Sequence, residues 1–398
     1  NKGVTMDLTR HPSRRDGARR VPILMRRMVA ALVVMCLALL AVPASGARAN
    51  DSDGNALDRT TSVDGWFKMH MLSYEGIING LIAKPDISVV SLASVLAMSE
   101  DGRLSSCGDQ CEQWPAALQD NLWYPQGLTG SEESSWPSRP ATEVLVSGSY
   151  QRSSESDHTS VASRVQFIST ANWSYRTVPL RMGTYDYMTG VYSYKPLTIH
   201  IGGLAWADRY LYAVDTDRIY RFDLTQILRN SGGPFMVPDR QYYNVAGIGG
   251  GSARLSSIST DWSSSPPALV TAEWNPNQSA DADVVRWPLN DNGTLVVNSS
   301  DTVLSSDALY VDADSSIDEV QGVESVNGVY FFSCSTGELQ RARVESPADR
   351  KSWRWGSGLI DSWIPQDLYA VAGQRIYGQS EERNDRRVFW KPMSDVMP

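Results

Sequence analysis

Residues 200–228 read HIGGLAWADRYLYAVDTDRIYRFDLTQIL, three short apolar runs separated by two tight polar turns. Apolar runs of this length, bounded by turn residues, are typical of β-strands. The first run follows the tetrapeptide IGGL at 201–204, and similar tetrapeptides recur along the chain. They are PQGL at 125–128, LSSI at 255–258, VQGV at 320–323 and PQDL at 365–368. The sequence therefore contains five degenerate copies of one unit.

Each tetrapeptide is followed by a second and a third strand-like run, in the same order. The second runs are EVLVSGSY, YLYAVDT, ALVTAEW, VYFFSCS and RIYGQS, and the third runs are SRVQFIS, RIYRFDL, DVVRWPL, ELQRARV and RRVFWKP. If the second residue of each tetrapeptide is taken as its anchor, successive anchors are 76, 54, 65 and 45 residues apart. Polar inserts without periodicity account for the wider spacings.

A unit of three or four short strands that repeats along the chain is typical of propeller blades. One blade cannot bury both of its apolar faces, so blades must stack around an axis. We therefore predict an all-β fold, a single five-bladed β-propeller over residues 121–398. Six blades are the alternative if residues 50–120 contribute strands, and a β-sandwich is the alternative fold because its strands are also evenly spaced.

The residue after each anchor should lie on the innermost strand, where neighbouring strands approach closely. Small residues stand there in four repeats, Gly127, Gly203, Ser257 and Gly322. The lack of a large side chain permits that approach. Asp367 departs from the pattern in the last repeat, and we expect its carboxylate to point towards the mouth of the channel.

The stretch IGGLAWADRYLYAVDTDRIYRFDL resembles secreted β-propeller proteins of actinobacteria and, more loosely, the NHL and YWTD-type propellers. The resemblance extends over roughly Trp123 to Pro392. It implies a closed ring with a ligand site at the axial mouth. Such rings include binding modules, lyases, lactonases and glycosidases, so the resemblance implies no single chemistry. The WD dipeptide pattern and the sialidase Asp-box are absent.

Residues 1–49 have the pattern of a secretory signal peptide with a preceding basic segment. Met25–Arg27 is basic, Met28–Val42 is an unbroken apolar run, and Ala47–Ala49 has the small residues of a cleavage site. We expect export to the extracellular space, with Asn50 as the first residue of the mature chain. A retained membrane anchor is the alternative, although the apolar run is short for a membrane span.

The charge of the mature chain argues against two classes of partner. Nine of the 36 basic and two of the 45 acidic residues precede residue 50, which leaves a net charge of −16. Such a chain repels phosphate backbones and anionic lipids. We expect a monomer with an extracellular carbohydrate, peptide or protein ligand, and neither a nucleic-acid partner nor a membrane partner after cleavage.

The three remaining cysteines predict one disulfide. Cys107 and Cys111 enclose only three residues, and outside the cell such a pair most simply forms a small-loop disulfide. A metal site is the alternative, but no second Cys or His pair completes the ligand set. Cys334 lies in an apolar run, which predicts a buried thiol.

Residues 50–120 do not match the repeat, and we interpret them as an N-terminal extension that is partly disordered or helical. Within PDISVVSLASVLAMSEDG (85–102), a helix would begin at Asp86 as N-cap. The apolar residues on one face of that helix would be Val89, Leu92, Ala93 and Leu96. The same run could instead be a strand that joins the last blade. We expect the extension to pack across one face of the ring.

Local catalytic and metal motifs are weak. No G-x-S-x-G motif is present. Asp312 and Asp314 match the start of a calcium loop, with Asp318 and Glu319 further on, but Ile317 stands where an EF-hand requires glycine. We therefore predict no cofactor, with calcium as a weak alternative.

Two features keep a polysaccharide enzyme open as a hypothesis. Paired carboxylates for glycoside hydrolysis can come from different blades, and Glu273, Asp215, Asp261 and Asp367 lie near strand ends. The many tryptophans would suit stacking on sugar rings wherever one is exposed at a face.

Blades are related by rotation about the axis, so the strand-initial residues of successive repeats should surround one mouth of the channel. These residues are Gln126, His200, Ser256, Gln321, Gln366 and Asp367. The three amides, His200 and Asp367 form the predicted ligand site. If His200 and Asp367 face each other across the channel, they form its best polar pair. No catalytic residue is assigned.

We predict a secreted, non-catalytic binding protein, and the alternative is an extracellular hydrolase or lyase acting on polysaccharide. A mouth lined by amides and aromatics would favour binding. Two or three carboxylates, or a histidine, converging there would favour an enzyme.

Overall fold

A computed structural model describes residues 57–59, 65–119, 121–157, 159–245, 247, 253–274, 282–311, 317, 319–344, 346–354 and 365–397. The predicted signal segment 1–49 and three of the candidate calcium ligands, Asp312, Asp314 and Asp318, lie outside the described residues. The described residues all belong to one compact unit.

The described chain is dominated by short strands. The first six are β1 (Leu57–Arg59), β2 (Lys68–Ser73), β3 (Ser88–Val90), β4 (Gly102–Arg103), β5 (Ser105–Gly108) and β6 (Cys111–Gln113). The next eleven are β7 (Trp123–Gly130), β8 (Val144–Arg152), β9 (Ser160–Ser169), β10 (Ser174–Asp186), β11 (Val191–Pro196), β12 (Gly203–Ala207), β13 (Tyr210–Asp215), β14 (Arg218–Asp223), β15 (Ile227–Asn230), β16 (Gly233–Phe235) and β17 (Arg240–Val245). The remaining strands are β18 (Leu255–Asp261), β19 (Ala268–Glu273), β20 (Ala282–Pro288), β21 (Thr302–Leu304), β22 (Asp307–Val311), β23 (Val320–Val326), β24 (Val329–Cys334), β25 (Glu338–Arg343), β26 (Ser346–Arg354), β27 (Pro365–Val371), β28 (Arg375–Ser380) and β29 (Arg387–Pro392).

Helices in the described residues are short. They are α1 (Glu75–Ile82), α2 (Leu92–Leu96), α3 (Ala116–Gln119) and α4 (Met393–Val396), with a 3₁₀ turn at Ser131–Glu133. None of these helices has the length and apolar character needed to cross a membrane.

Five of the sheets formed by the described strands share one plan. Each begins with a first strand and continues through its antiparallel second and third strands, in the orders β7-β8-β9-β10-β11, β12-β13-β14-β17-β2-β21, β18-β19-β20-β22-β1, β23-β24-β25-β26 and β27-β28-β29-β6-β5. A smaller sheet has the order β16-β15-β3, and β4 pairs with β10. The three runs predicted for each repeat correspond to the first three strands of these sheets, so the strand pattern of the repeat is confirmed.

The first strands adjoin one another in cyclic order. β7 contacts β12, β12 contacts β18, β18 contacts β23, β23 contacts β27, and β27 returns to β7. A Cβ added to Gly203 would lie 2.5 Å from the Ile258 nitrogen, and one added to Gly322 would lie 2.8 Å from the Asp367 Cα. The small residues therefore have the predicted role of admitting a neighbouring backbone.

The apolar core is divided among the gaps between consecutive sheets. Trp206 of β12 packs against Phe167 of β9, and Trp287 of β20 shares a cluster with Tyr212 of β13. Further clusters join the third sheet to the fourth, the fourth to the fifth, and the fifth back to the first. Each sheet thus buries both faces against its neighbours, and the fold is a β-propeller.

The segment 57–119 adds strands to the outer edges of the sheets. β1 pairs with β22, β2 lies between β17 and β21, and β6 pairs with β29. This differs from the expected extension packed across one face. The reason is that the outer strand of a sheet has unpaired N–H and C=O groups, which a further strand satisfies.

The expected helix over 85–102 is only partly correct. Residues Ser88–Val90 form β3, and the helix is restricted to Leu92–Leu96. Its N-cap is Ser91, whose hydroxyl accepts a hydrogen bond from the Ser94 N–H, rather than Asp86. Val89 therefore lies in a strand, where it is 42% exposed.

The cysteines follow the prediction. Cys107 and Cys111 form a disulfide in the hairpin β5–β6. Cys334 is a fully buried thiol at the end of β24, outside that disulfide.

Candidate functional site

A cavity of about 450 Å³ lies where the first strands begin and the second strands end. Antiparallel pairing brings these two sets of termini to the same side of each sheet. The residues that line the cavity are Gln126, Arg152, His200, Gly202, Thr216, Arg254, Leu255, Ser256, Trp274, Gln321, Gln366 and Glu381. The cavity is therefore the mouth at one end of the propeller axis.

All five anchors of the repeat line this cavity. They are Gln126, Gly202, Ser256, Gln321 and Gln366. The repeat alignment placed these residues at equivalent positions, and the structure brings them together as that alignment requires. Their contact with a ligand stays a prediction.

The amides on one side of the cavity form a connected network. Gln126 Nε2 donates to Gln366 Oε1 at 3.2 Å and to Glu381 Oε2 at 2.7 Å. Glu381 Oε2 lies 3.9 Å from Arg152 Nη2, and Arg152 Nε donates to Tyr150 Oη at 2.8 Å. Gln321 stands apart, since its Nε2 donates to Ser335 Oγ at 2.8 Å. These bonds orient the cavity wall before any ligand arrives.

His200 lies in the cavity wall as predicted. Its ring stacks on Tyr150 with the centroids 4.0 Å apart, and its backbone N–H donates to Asp215 Oδ1 at 3.3 Å. Burial raises the pKa of Asp215 to about 6, although the bond from His200 opposes the shift. Asp215 does not itself line the cavity. Through its hydrogen bond with the His200 N–H, it holds the backbone that leads into β12.

Asp367 is placed differently from its prediction. It is fully buried and does not line the cavity. Its Oδ2 accepts hydrogen bonds from the Leu128 and Leu204 N–H groups, both at 2.9 Å. The inner edge of a first strand has no pairing strand, and the Asp367 carboxyl serves as the acceptor for two such edges. His200 and Asp367 therefore do not face each other across the mouth.

Two further carboxyls occupy the interior of the ring. Glu133 Oε2 accepts from Thr129 Oγ1 at 2.5 Å and from the Trp206 N–H at 3.1 Å. Glu324 accepts from the Ser325 N–H at 3.1 Å and from the Ala370 N–H at 3.3 Å. Like Asp367, these groups satisfy backbone donors on the inner edges of first strands.

Burial determines the ionisation of these interior carboxyls. It raises the pKa of Glu133 to about 7 and the pKa values of Glu324 and Asp367 well above their usual range. The negative charge of Glu133 raises the pKa of Glu324 further, because two neighbouring carboxylates repel each other. Raised pKa values favour the neutral form of these carboxyls, whose hydrogen bonds to backbone N–H groups give them a structural role.

The four carboxylates considered for glycoside hydrolysis do not meet in the cavity. Asp261 forms an ion pair with Arg286 at 2.8 Å, and Glu273 Oε2 accepts from the Asp283 N–H at 3.3 Å. Asp215 and Asp367 are placed as described above. Among the described residues, the carboxylate that lines the cavity is Glu381. Asp, Glu, His and Cys form no cluster of three suited to a metal ion within the described parts of the chain.

The predicted site contained only residues at the beginnings of first strands, and it therefore lacked four lining residues at the ends of second strands. Arg152 ends β8, while Thr216, Trp274 and Glu381 directly follow β13, β19 and β28. Antiparallel pairing of each first strand with its second strand would have predicted these positions. Arg254 was also missed, although it precedes its anchor by two residues, as His200 does.

Comparison with known proteins adds no family assignment. No family model matches the chain, and no curated protein matches it. Among solved structures, a gluconolactonase from Xanthomonas campestris is similar over 74% of this chain and 88% of its own, at 13% identity and a TM-score of 0.33. The WD40 β-propeller domain of Doa1 is similar over 75% of this chain and 100% of its own, at 11% identity and a TM-score of 0.31. At these scores the fold assignment depends on the strand pairing and the core described above.

Proposed function

We propose that this protein is a binding protein that recognises a saccharide in the mouth cavity. One observation carries the proposal: equivalent residues from five repeats line a single cavity, and three of these five residues are glutamines. Amide groups donate and accept hydrogen bonds at once, which suits the paired donor and acceptor character of sugar hydroxyls. Trp274 adds an apolar surface to this polar wall.

We further propose that the ring has five blades, one for each repeat. The cyclic contacts of the five first strands support this number. Residues 57–119 supply strands to the outer edges of existing sheets, which argues against a sixth blade.

We also propose that the protein is exported from the cell. The signal pattern of residues 1–49 is its support, and the protein would meet its ligand outside the cell. N-terminal sequencing of protein recovered from the culture medium should give Asn50 as the first residue. Protein retained in a membrane fraction with Met25 intact would contradict export.

An extracellular hydrolase or lyase is the second candidate, because His200 and Glu381 both line the cavity. Their existing contacts favour binding. The His200 ring stacks on Tyr150, and Glu381 accepts from Gln126. Incubation of the protein with each bound saccharide, followed by chromatography of the products, separates the two candidates, since a binding protein leaves the saccharide intact.

The binding proposal is tested with an array of immobilised neutral and acidic oligosaccharides, followed by calorimetric titration of those that bind. Trp274→Ala should lower the affinity at least tenfold, because the cavity wall loses its aromatic ring. The matched control is Tyr187→Ala, which removes an aromatic ring that is 88% exposed on the β10–β11 hairpin. Absence of binding to every saccharide, or equal binding by both variants, would contradict the proposal.

A further inference from the structure

We infer that the saccharide bound in the mouth cavity is anionic, and that Arg254 binds its negative group, a carboxylate or a sulfate ester. This inference rests on the proposed function of the cavity and specifies its ligand class.

Arg254 is held at the cavity wall by an aromatic ring. Its guanidinium carbon lies 4.8 Å from the centroid of Trp274, which also lines the cavity. A guanidinium stacked on a ring keeps its N–H donors in the guanidinium plane, where they remain available to a partner. The contact thus orients Arg254 without using its hydrogen-bonding capacity.

Within the described parts of the chain, no ion pair neutralises the charge of Arg254. Among the described residues, no carboxylate lies within 4.0 Å of its guanidinium nitrogens, whereas the other lining arginine, Arg152, lies 3.9 Å from Glu381. Burial raises the pKa of Glu273 to about 7, although the positive charge of Arg254 acts on the Glu273 carboxyl and lowers its pKa. Near neutral pH this carboxyl is therefore only partly charged.

The two arginines of the mouth cavity contrast with the negative net charge of the protein. The chain has a net charge of −9, and yet its mouth cavity contains two arginines and one glutamate. An acidic surface repels anions in general, so an anionic ligand requires a local cation that fixes its position. The planar guanidinium can donate two parallel hydrogen bonds to a carboxylate or a sulfate.

The test compares anionic and neutral forms of the same saccharide by calorimetry. The probes are a galacturonic acid trimer with its methyl ester, and a sulfated galactan oligosaccharide with its desulfated form. We expect one of the anionic probes to bind about ten- to a hundredfold more tightly than its neutral form, as a charge-assisted pair of hydrogen bonds predicts. The probe that shows this preference identifies the anionic group.

Arg254→Gln should abolish the preference, so that this variant binds the anionic and the neutral form with about equal affinity. The matched control is Arg229→Gln, since Arg229 is an exposed arginine on β15 that does not line the cavity. Equal binding of anionic and neutral forms would overturn the inference and leave the saccharide proposal standing. Loss of preference in both variants would also overturn it, and absence of binding to all four probes and to the array would overturn both proposals.

Discussion

At the scale of single residues, the axis of the ring is filled by polar groups in structural roles. Asp367 replaces the small residue found at the same position in the other four repeats. Its carboxyl reaches the backbone N–H groups of β7 and β12 from β27, so that it joins three first strands. A titratable residue at the axis of a propeller therefore need not belong to the ligand site.

Asp367→Ala should lower the free energy of unfolding by about 2–5 kcal/mol, because two buried N–H groups lose their acceptor. Asp367→Asn retains a carbonyl oxygen at the same place and should cost much less. Denaturant unfolding of both variants measures the difference. An alanine variant that is as stable as the parent but no longer binds ligand would show that Asp367 belongs to the site.

The five anchors could be predicted from the sequence, whereas Glu133 could not. The anchors were found because the repeat gives every blade the same register, and a register fixes which residues share a mouth. Glu133 had no such signal, since it enters the ring from an insert of the first repeat that has no counterpart in the other repeats. Which insert folds inwards depends on contacts distant in the chain.

At the scale of elements, the packing of neighbouring first strands requires their backbones to approach closely. The first three strands of each repeat could be predicted because strand runs and turns are local features. The outer strands β1, β2, β5 and β6 could not, since they have no clear alternation. They form because the outer strand of a sheet has unpaired N–H and C=O groups.

Gly203→Ala should destabilise the protein strongly, by about 2 kcal/mol or more, because the new methyl group would meet the β18 backbone. The control is Gly76→Ala in α1, where a Cβ meets nothing within 4 Å. Alanine favours the helix there and should stabilise the protein by about 0.5–1 kcal/mol. Thermal unfolding of both variants checks this pair, and equal effects would contradict the close packing of β12 against β18.

At the scale of the whole molecule, the interior carboxyls make the stability of the ring depend on pH. Their pKa values are raised in the folded state, so at pH values above about 4.3, the usual pKa of glutamate, these groups bind more protons in the folded protein than in the unfolded chain. Their contribution to the free energy of unfolding therefore falls as the pH rises from about 4.3 through about 7.

Glu324→Gln should flatten this profile. The amide is neutral at every pH and can donate to Glu133 in place of the protonated carboxyl. The variant should thus gain stability relative to the parent at pH 8 and show no such gain at pH 5. Denaturant unfolding at both values measures this, and a parent protein that is more stable at pH 8 than at pH 5 would contradict the assignment.

The central claim is that one ligand is bound by the mouth that the five repeats form together. Amide hydrogen exchange, measured with and without a saccharide identified on the array, tests it most directly. We predict slower exchange in the segments at the beginnings of all five first strands, at 124–128, 200–204, 254–258, 319–323 and 365–368, and unchanged exchange in the hairpin at 185–194. Protection of the hairpin or of a single repeat, with the other first strands unaffected, would contradict the claim.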